Sequence, residues 1–308
     1  MQNPLYPAVH TPIDTFQITS FDGTRIAVYY AGRSKKTMIL APGLGSNLYC
    51  WKYIIEHFAD EWRMITWDPR GTYDSGWPQN PDRTMLEDHV GDMEVIVKLE
   101  KLKSFPVMGW SMGVQLSLEY YHRHPNDVES LVLINGAFEH VLSSVLGLPA
   151  IEPLLKGALK IGRSSKRVVQ PALKALMRHP LFPNLLSSLG LLSGTPDIFD
   201  DIVQKFTEND YSQFFTLLLN LHEHSARPYL SSIKVPTLVT AGTKDLLTPV
   251  SSGKYLASAI PGAKLMLIPG GTHYSMVEYP ELILKEISHF YAVHNQTRVM
   301  RSRSKAGE

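Results

Sequence analysis

The chain has 308 residues, 44% of them hydrophobic and 19% charged, and its 30 Lys+Arg against 29 Asp+Glu leave a formal net charge of +1. That length can bury one large core, and near-neutrality excludes the global positive field on which nucleic-acid binding draws. A single cysteine, Cys50, excludes an intramolecular disulfide and a thiolate-rich metal cluster, and no apolar run approaches the roughly 18 to 20 residues needed to cross a bilayer.

The first residues, Met1-Gln2-Asn3-Pro4-Leu5-Tyr6-Pro7, lack a basic stretch followed by an apolar one, which gives the expectation of a cytoplasmic protein. Predicted strands at 15–19 and 25–30 flank Phe21-Asp22-Gly23-Thr24, where Asp-Gly is a strong hairpin signal. Short apolar runs at 37–41, 64–67, 105–109 and 131–134 then alternate with amphipathic stretches at 51–58, 85–102 and 112–124, the texture of repeated βαβ units. In the second of these helices Leu86, Val90, Met93, Ile96, Val97 and Leu99 approximate an apolar face, and Glu87, Asp88, Glu94 and Lys98 a polar one. From 138 to 230 strand signals vanish. Helix-like stretches take over, among them 168–179, 198–208 and 214–222, with breaks expected at Pro149, Pro153, Pro171, Pro180, Pro183 and Pro196. Strands at 237–241 and 264–268 and helices at 249–259 and 281–294 resume the alternation. The expected organisation is an α/β core in two parts, 14–137 and 231–294, split by a helical insertion at 138–230 and followed by a basic flexible tail at 295–308. Arg298, Arg301, Arg303 and Lys305 in that tail lack the interleaved aromatics of a nucleic-acid-binding segment.

Chemistry concentrates in three loops. Gly109-Trp110-Ser111-Met112-Gly113 lies between a strand and a helix, and its glycines leave room for a sharp turn that lifts the Ser111 hydroxyl above the sheet. The Met112 amide then falls at a helix N-terminus, where unpaired N–H groups favour a developing oxyanion. Asp245 ends Gly242-Thr243-Lys244-Asp245 and His273 ends Gly270-Gly271-Thr272-His273, each beyond the carboxyl end of a strand, where open α/β sheets bind ligands. Of the twelve histidines, only His273 follows a late strand in a glycine-rich loop, whereas His57, His89 and His289 fall in helical stretches and read as solvated surface positions. Asp245 also suits an Asx turn or a helix cap ahead of Pro249. Trp110 and Met112 suit either an acyl pocket or ordinary packing.

Together with Pro42-Gly43-Leu44-Gly45-Ser46 and with Asp68-Pro69-Arg70-Gly71 through Gly76, these loops make residues 14–291 resemble an alpha/beta-hydrolase with a cap domain, of the serine esterase kind. The resemblance implies a mostly parallel sheet with an N-terminal antiparallel hairpin, helices on both faces and a helical cap. It further implies a triad of Ser111, His273 and Asp245, oxyanion-hole amides from Leu44 and Met112, Trp110 in the substrate pocket, and no metal or organic cofactor. Two departures stand out: Pro42-Gly43 replaces the His-Gly of many members, and Tyr73 replaces a usual glycine. The family's alternative position for the acid, after the strand at 131–134, holds Asn135, which favours Asp245; Asp74 or Glu139 would be its substitutes. Asp68 and Arg70 read as a structural salt bridge and turn. A leucine-rich roof over Ser111 favours a neutral, hydrophobic acyl or alcohol group. The expected reaction is hydrolysis of a small hydrophobic ester through an acyl-enzyme, with oligomeric state left open. Lactone opening, perhydrolysis and carbon–carbon bond hydrolysis use the same scaffold. Proline aminopeptidases share the cap and the Asp-x-Arg-Gly segment but are expected to carry Trp after the nucleophile rather than before it. The reading from another class is a ligand-binding protein with a slow triad.

Overall fold

A computed structural model describes residues 6–194 and 196–305, with side chains as far as residue 294. Its strands are β1 (Ile13–Thr19), β2 (Arg25–Ala31), β3 (Thr37–Ala41), β4 (Arg63–Trp67), β5 (Phe105–Trp110), β6 (Val128–Ile134), β7 (Thr237–Gly242) and β8 (Lys264–Ile268). They form one sheet in the order β1-β2-β4-β3-β5-β6-β7-β8, antiparallel at β1/β2 and β2/β4 and parallel elsewhere. The hairpin turns where Asp-Gly stands: Gly23 takes φ +85° and the Asp22 carboxylate accepts from the Thr24 amide at 3.1 Å.

The inner strands are apolar throughout because both faces are covered. Successive side chains point to opposite sides, so Met38 and Leu40 enter one core with Ile54, Ile55 and Phe58, while Ile39 and Ala41 enter the other with Val90, Met93 and Leu256. Helix α1 (Lys52–Phe58) therefore covers the first face. Helices α2 (Leu86–Leu99) and α3 (Met112–Arg123) cover the second. Between β6 and β7 the described residues form no named strand. That stretch holds α4 (Val141–Ser144), α5 (Glu152–Ser164), α6 (Lys166–Met177), α7 (Phe182–Ser188), α8 (Phe199–Phe206) and α9 (Tyr211–His222), a helical layer beside the carboxyl rim of the sheet. Beyond β7 come α10 (Val250–Ala259) on the second face, the short α11 (Ser275–Glu278) and α12 (Pro280–Lys305), whose Ile283, Ile287 and Phe290 join α1 on the first. The side chains on which the expectation of a basic tail falls lie outside the described residues.

Several expectations are corrected. Leu99 is exposed, because it falls about 220° around α2 from Leu86 at roughly 100° per residue. Asp88, expected on the polar face, is buried, and its carboxylate accepts from the Met85 amide at 3.0 Å to cap the helix. His89 is also buried rather than solvated; burial, reinforced by the Arg70 charge, lowers its pKa to about 3 and keeps it neutral. Pro171 does not break its helix but sits inside α6, where Arg167 and Pro171 are both exposed and the carbonyl left without an amide donor is on the solvent side. Pro153 and Pro183 lie in the first turns of α5 and α7, positions where a missing N–H costs little. Asp68 and Arg70 do not pair with each other. The Arg70 guanidinium instead meets Asp92 at 2.6 Å and Asp22 at 2.9 Å, while Asp68 accepts from the Tyr29 hydroxyl at 2.7 Å and the Asp74 amide at 3.1 Å.

Candidate active site

Ser111 follows β5 with φ 57° and ψ −117°, a conformation that costs a non-glycine residue of order 1–3 kcal/mol and persists only where its surroundings enforce it. They do so here. A Cβ on Gly109 would lie 2.2 Å from the Gly113 carbonyl oxygen, and one on Gly113 would lie 2.0 Å from that of Ala41, so α3 approaches β3 and β5 as closely as backbone allows. The turn aims the serine side chain toward the helical layer.

β5, β6, β7 and β8 are successive neighbours, so residues just past their carboxyl ends share one rim. Ser111 Oγ lies 2.9 Å from His273 Nε2, and His273 Nδ1 lies 2.9 Å from Asp245 Oδ2. The three loops singled out in the sequence thus converge. Asp245 also makes the Asx turn: its Oδ1 accepts from the amides of Leu247 at 2.9 Å and Thr248 at 2.8 Å, and its Oδ2 from the Thr248 hydroxyl at 2.7 Å. The two readings of Asp245 are therefore compatible. Burial alone would raise this carboxyl, but the facing imidazole and the Thr248 donors outweigh it and hold Asp245 below the ordinary carboxylate range. An ionised Asp245 accepts from Nδ1–H, which leaves Nε2 free to accept the serine proton. The alternative carboxylates are engaged elsewhere, Glu139 with Arg227 and Ser225, and Asp74 within reach of the Tyr29 hydroxyl at 3.4 Å.

The alpha/beta hydrolase fold model matches residues 36–280, a span containing all of this rim. The chain belongs to the alpha/beta hydrolase fold family. It is 25% identical over 281 residues to "Putative carbamate hydrolase RutD" of Rhizobium rhizogenes, covering 85% of this chain and 95% of that one. With 3-oxoadipate enol-lactonase 2 of Acinetobacter baylyi it shares 24% identity over 261 residues, 83% and 90% of the two chains. A crystal structure of a hydrolase from Pseudomonas aeruginosa PA01 superposes with a TM-score of 0.75 at 22% identity, covering 90% of this chain and 98% of that one. Family and relatives together mark the protein as a hydrolase.

In this alpha/beta hydrolase the space above Ser111 is a cavity of about 390 Å³. Its floor carries Leu44, Trp110, Met112 and His273, and its roof includes Phe182, Phe199, Phe206, Phe214 and Leu218 from the helical layer. Trp110 has two contacts in this region. It lines the cavity, and its indole N–H donates to the His273 carbonyl at 3.1 Å, bracing the loop that presents the imidazole. Leu44 and Met112 border the same space, Leu44 in the loop after β3 and Met112 as the first residue of α3. Cys50 also faces the cavity, but burial pushes its thiol up to about 12 and keeps it protonated.

Both departures from the family pattern have local consequences. Tyr73 adopts φ +45°, a left-handed backbone that favours glycine, and its amide donates to Asn209 Oδ1 at 3.2 Å, so the helical layer holds it there. Its hydroxyl donates to the Gly45 carbonyl at 2.5 Å, tying down the loop that lacks the family histidine. Asn135, weighed in the sequence only as an acid that is missing, has a contact no motif announced: its Nδ2 donates to Asp245 Oδ2 at 3.0 Å and to the Thr272 carbonyl at 2.8 Å. The available signal was its place, the first residue past β6 on the same rim. Thr248, whose hydroxyl lies 2.7 Å from Asp245 Oδ2 and 3.2 Å from His273 Nδ1, carried no such signal.

Proposed function

We propose that this protein is a serine hydrolase that cleaves a carboxylic ester of a hydrophobic small molecule through an acyl-enzyme. The observation that carries the reading is the line of two 2.9 Å contacts from Ser111 Oγ through His273 to Asp245, laid along the floor of an apolar cavity. In this scheme His273 Nε2 takes the proton from Ser111 as Oγ bonds to the ester carbonyl carbon. The carbonyl oxygen, now negative, sits against the amides of Leu44 and Met112, the latter aided by the positive end of α3. Collapse expels the alcohol, which leaves with the proton carried by His273. Water then attacks the acyl-enzyme through the same imidazole, returning Ser111 and releasing the acid. Asp245 keeps the imidazole in the required tautomer and offsets its charge when protonated. The route calls for no metal or organic cofactor.

Segment 138–230 is assigned the role of a cap, and Trp110 that of a pocket wall. An enol-lactone is an internal ester, so ring opening of a lactone falls within the same chemistry, the reaction class that the name of the A. baylyi relative gives. The phenylalanine- and leucine-lined roof favours a hydrocarbon acyl chain over a small polar carbamate. A fluorophosphonate probe is expected to label the parent and not Ser111→Ala, and p-nitrophenyl esters graded from acetyl to palmitoyl, run beside proline naphthylamide, to be turned over best with the longer apolar acyl groups. An unlabelled parent would favour a binding protein, and turnover of the amide alone an aminopeptidase.

A further inference from the structure

The first part of the helical layer, α4–α7, is unlike the rest of the protein. Residues 141–194 hold seven of the 30 basic residues and, in Glu152, one of the 29 acidic ones, so this stretch carries +6 while the remainder carries −5. It also holds an unusual share of exposed large aliphatic side chains: Leu154 is 74% exposed, Val168 71% and Ile161 68%. These recur at helical spacing. Leu154, Ala158 and Ile161 stripe α5, Val168, Ala172 and Ala175 stripe α6, and Leu181, Leu185 and Leu189 follow through α7. The inner faces are fixed by α9: Gly162 of α5 packs against the Phe215 ring, and Gln170 of α6 exchanges hydrogen bonds with the Asn209 carbonyl and the Tyr211 amide, each at 2.8 Å. The apolar stripes of α5 and α6 thus point away from the body of the protein. Interleaved with them, Lys160, Arg163, Arg167 and Lys174 have no carboxylate partner among the described residues.

We propose that the outer face of α5–α7 docks on an anionic lipid surface. Amphipathic helices with a leucine face bordered by Lys and Arg bind such surfaces in the interfacial plane, by apolar burial and attraction to acidic headgroups together. No described helix is long and apolar enough to cross a membrane, so the contact is peripheral. Charge favours this occupant over a symmetric dimer: a second copy meeting through the same face would bring +6 against +6, whereas an anionic bilayer complements it. The inner sides of α6 and α7 supply Met177, Phe182 and Leu186 to the cavity over Ser111, so the same helices join the docking face to the site. What is delivered, a lipid-dissolved ester, rests on the proposed function; the docking does not.

The test is co-sedimentation of Ser111→Ala, full length, with vesicles of phosphatidylcholine alone or containing phosphatidylglycerol, so that binding is read whether or not the serine is catalytic. Binding is expected to the anionic vesicles, weaker to neutral ones and reduced by salt, and to fall by about tenfold or more when Leu154→Glu, Val168→Glu and Leu189→Glu are combined. None of the three lines the cavity, so a near-ultraviolet circular dichroism spectrum and Tm matching those of the parent report that the triple variant is folded. A parent that stays in the supernatant, or a triple variant that sediments equally, overturns the proposal. So does light scattering that finds a parent dimer, abolished by the triple substitution, without vesicle binding.

Discussion

Asn135 carries the least expected contact at the scale of single residues. Its backbone takes φ +42°, and its side chain is fully used: Nδ2 donates to Asp245 and to the Thr272 carbonyl, and Oδ1 accepts from the Ser275 hydroxyl at 2.7 Å. It therefore holds the Asp245 carboxylate and the His273 loop at once. One hydrogen bond to a buried charge is worth about 1.5–3 kcal/mol. Asn135→Ala is accordingly expected to lower kcat by at least roughly tenfold with little change in KM, since the residue touches no part of the cavity. Initial-rate kinetics on a soluble ester read the split; an unchanged kcat would leave Asn135 a spectator. By comparison Ser111→Ala is expected to remove several orders of magnitude, on the scale of triad deletions.

Among elements, α3 is tied to the chain returning from the helical layer by Glu119. Its carboxylate accepts from the Tyr229 hydroxyl at 2.6 Å and Arg123 Nε at 2.8 Å, with His224 Nε2 at 3.3 Å. The His224 hydrogen bond first, then those from Tyr229 and Arg123, outweigh burial and lower the Glu119 pKa to about 2. A carboxyl whose folded pKa lies below its unfolded value stabilises the fold fully above that unfolded value, near 4.3, and loses the contribution as pH falls toward 2. The Tm of the parent should therefore drop more steeply between about pH 5 and pH 2 than that of Glu119→Gln. Parallel slopes in scanning calorimetry would remove Glu119 from the acid sensitivity of the fold. Strand and helix identities were legible at this scale because period-2 and period-3.6 patterns are local properties. The burial of His89 and Asp88 was not, since it depends on which face of α2 meets the sheet.

On the scale of the molecule, charge and apolar exposure are segregated: residues 141–194, which include α5–α7, carry +6 and many of the exposed leucines while the rest of the chain carries −5, and the inner sides of α6 and α7 face the cavity. A near-zero net charge concealed this, because total charge averages over surfaces that a partner meets separately. If the layer docks as proposed, Leu154→Glu/Val168→Glu/Leu189→Glu should leave turnover of a dissolved butyrate ester unchanged and lower turnover of a long-chain ester embedded in anionic vesicles by about tenfold. Equal rates on embedded substrate would separate catalysis from docking.

Sequence alone determined the alternating core, the hairpin, the loops bearing Ser111, Asp245 and His273, and the helical stretch between β6 and β7, since each depends on neighbours along the chain, on glycine placement and on periodicity. Tertiary structure decided which partners Arg70 and Asp68 take, that Asn135 serves Asp245, that Tyr73 can occupy a glycine's backbone, and which leucines of the helical layer line the cavity rather than face outward. Those outcomes depend on distances between residues far apart in the chain, which only the packing of the sheet and its helices sets.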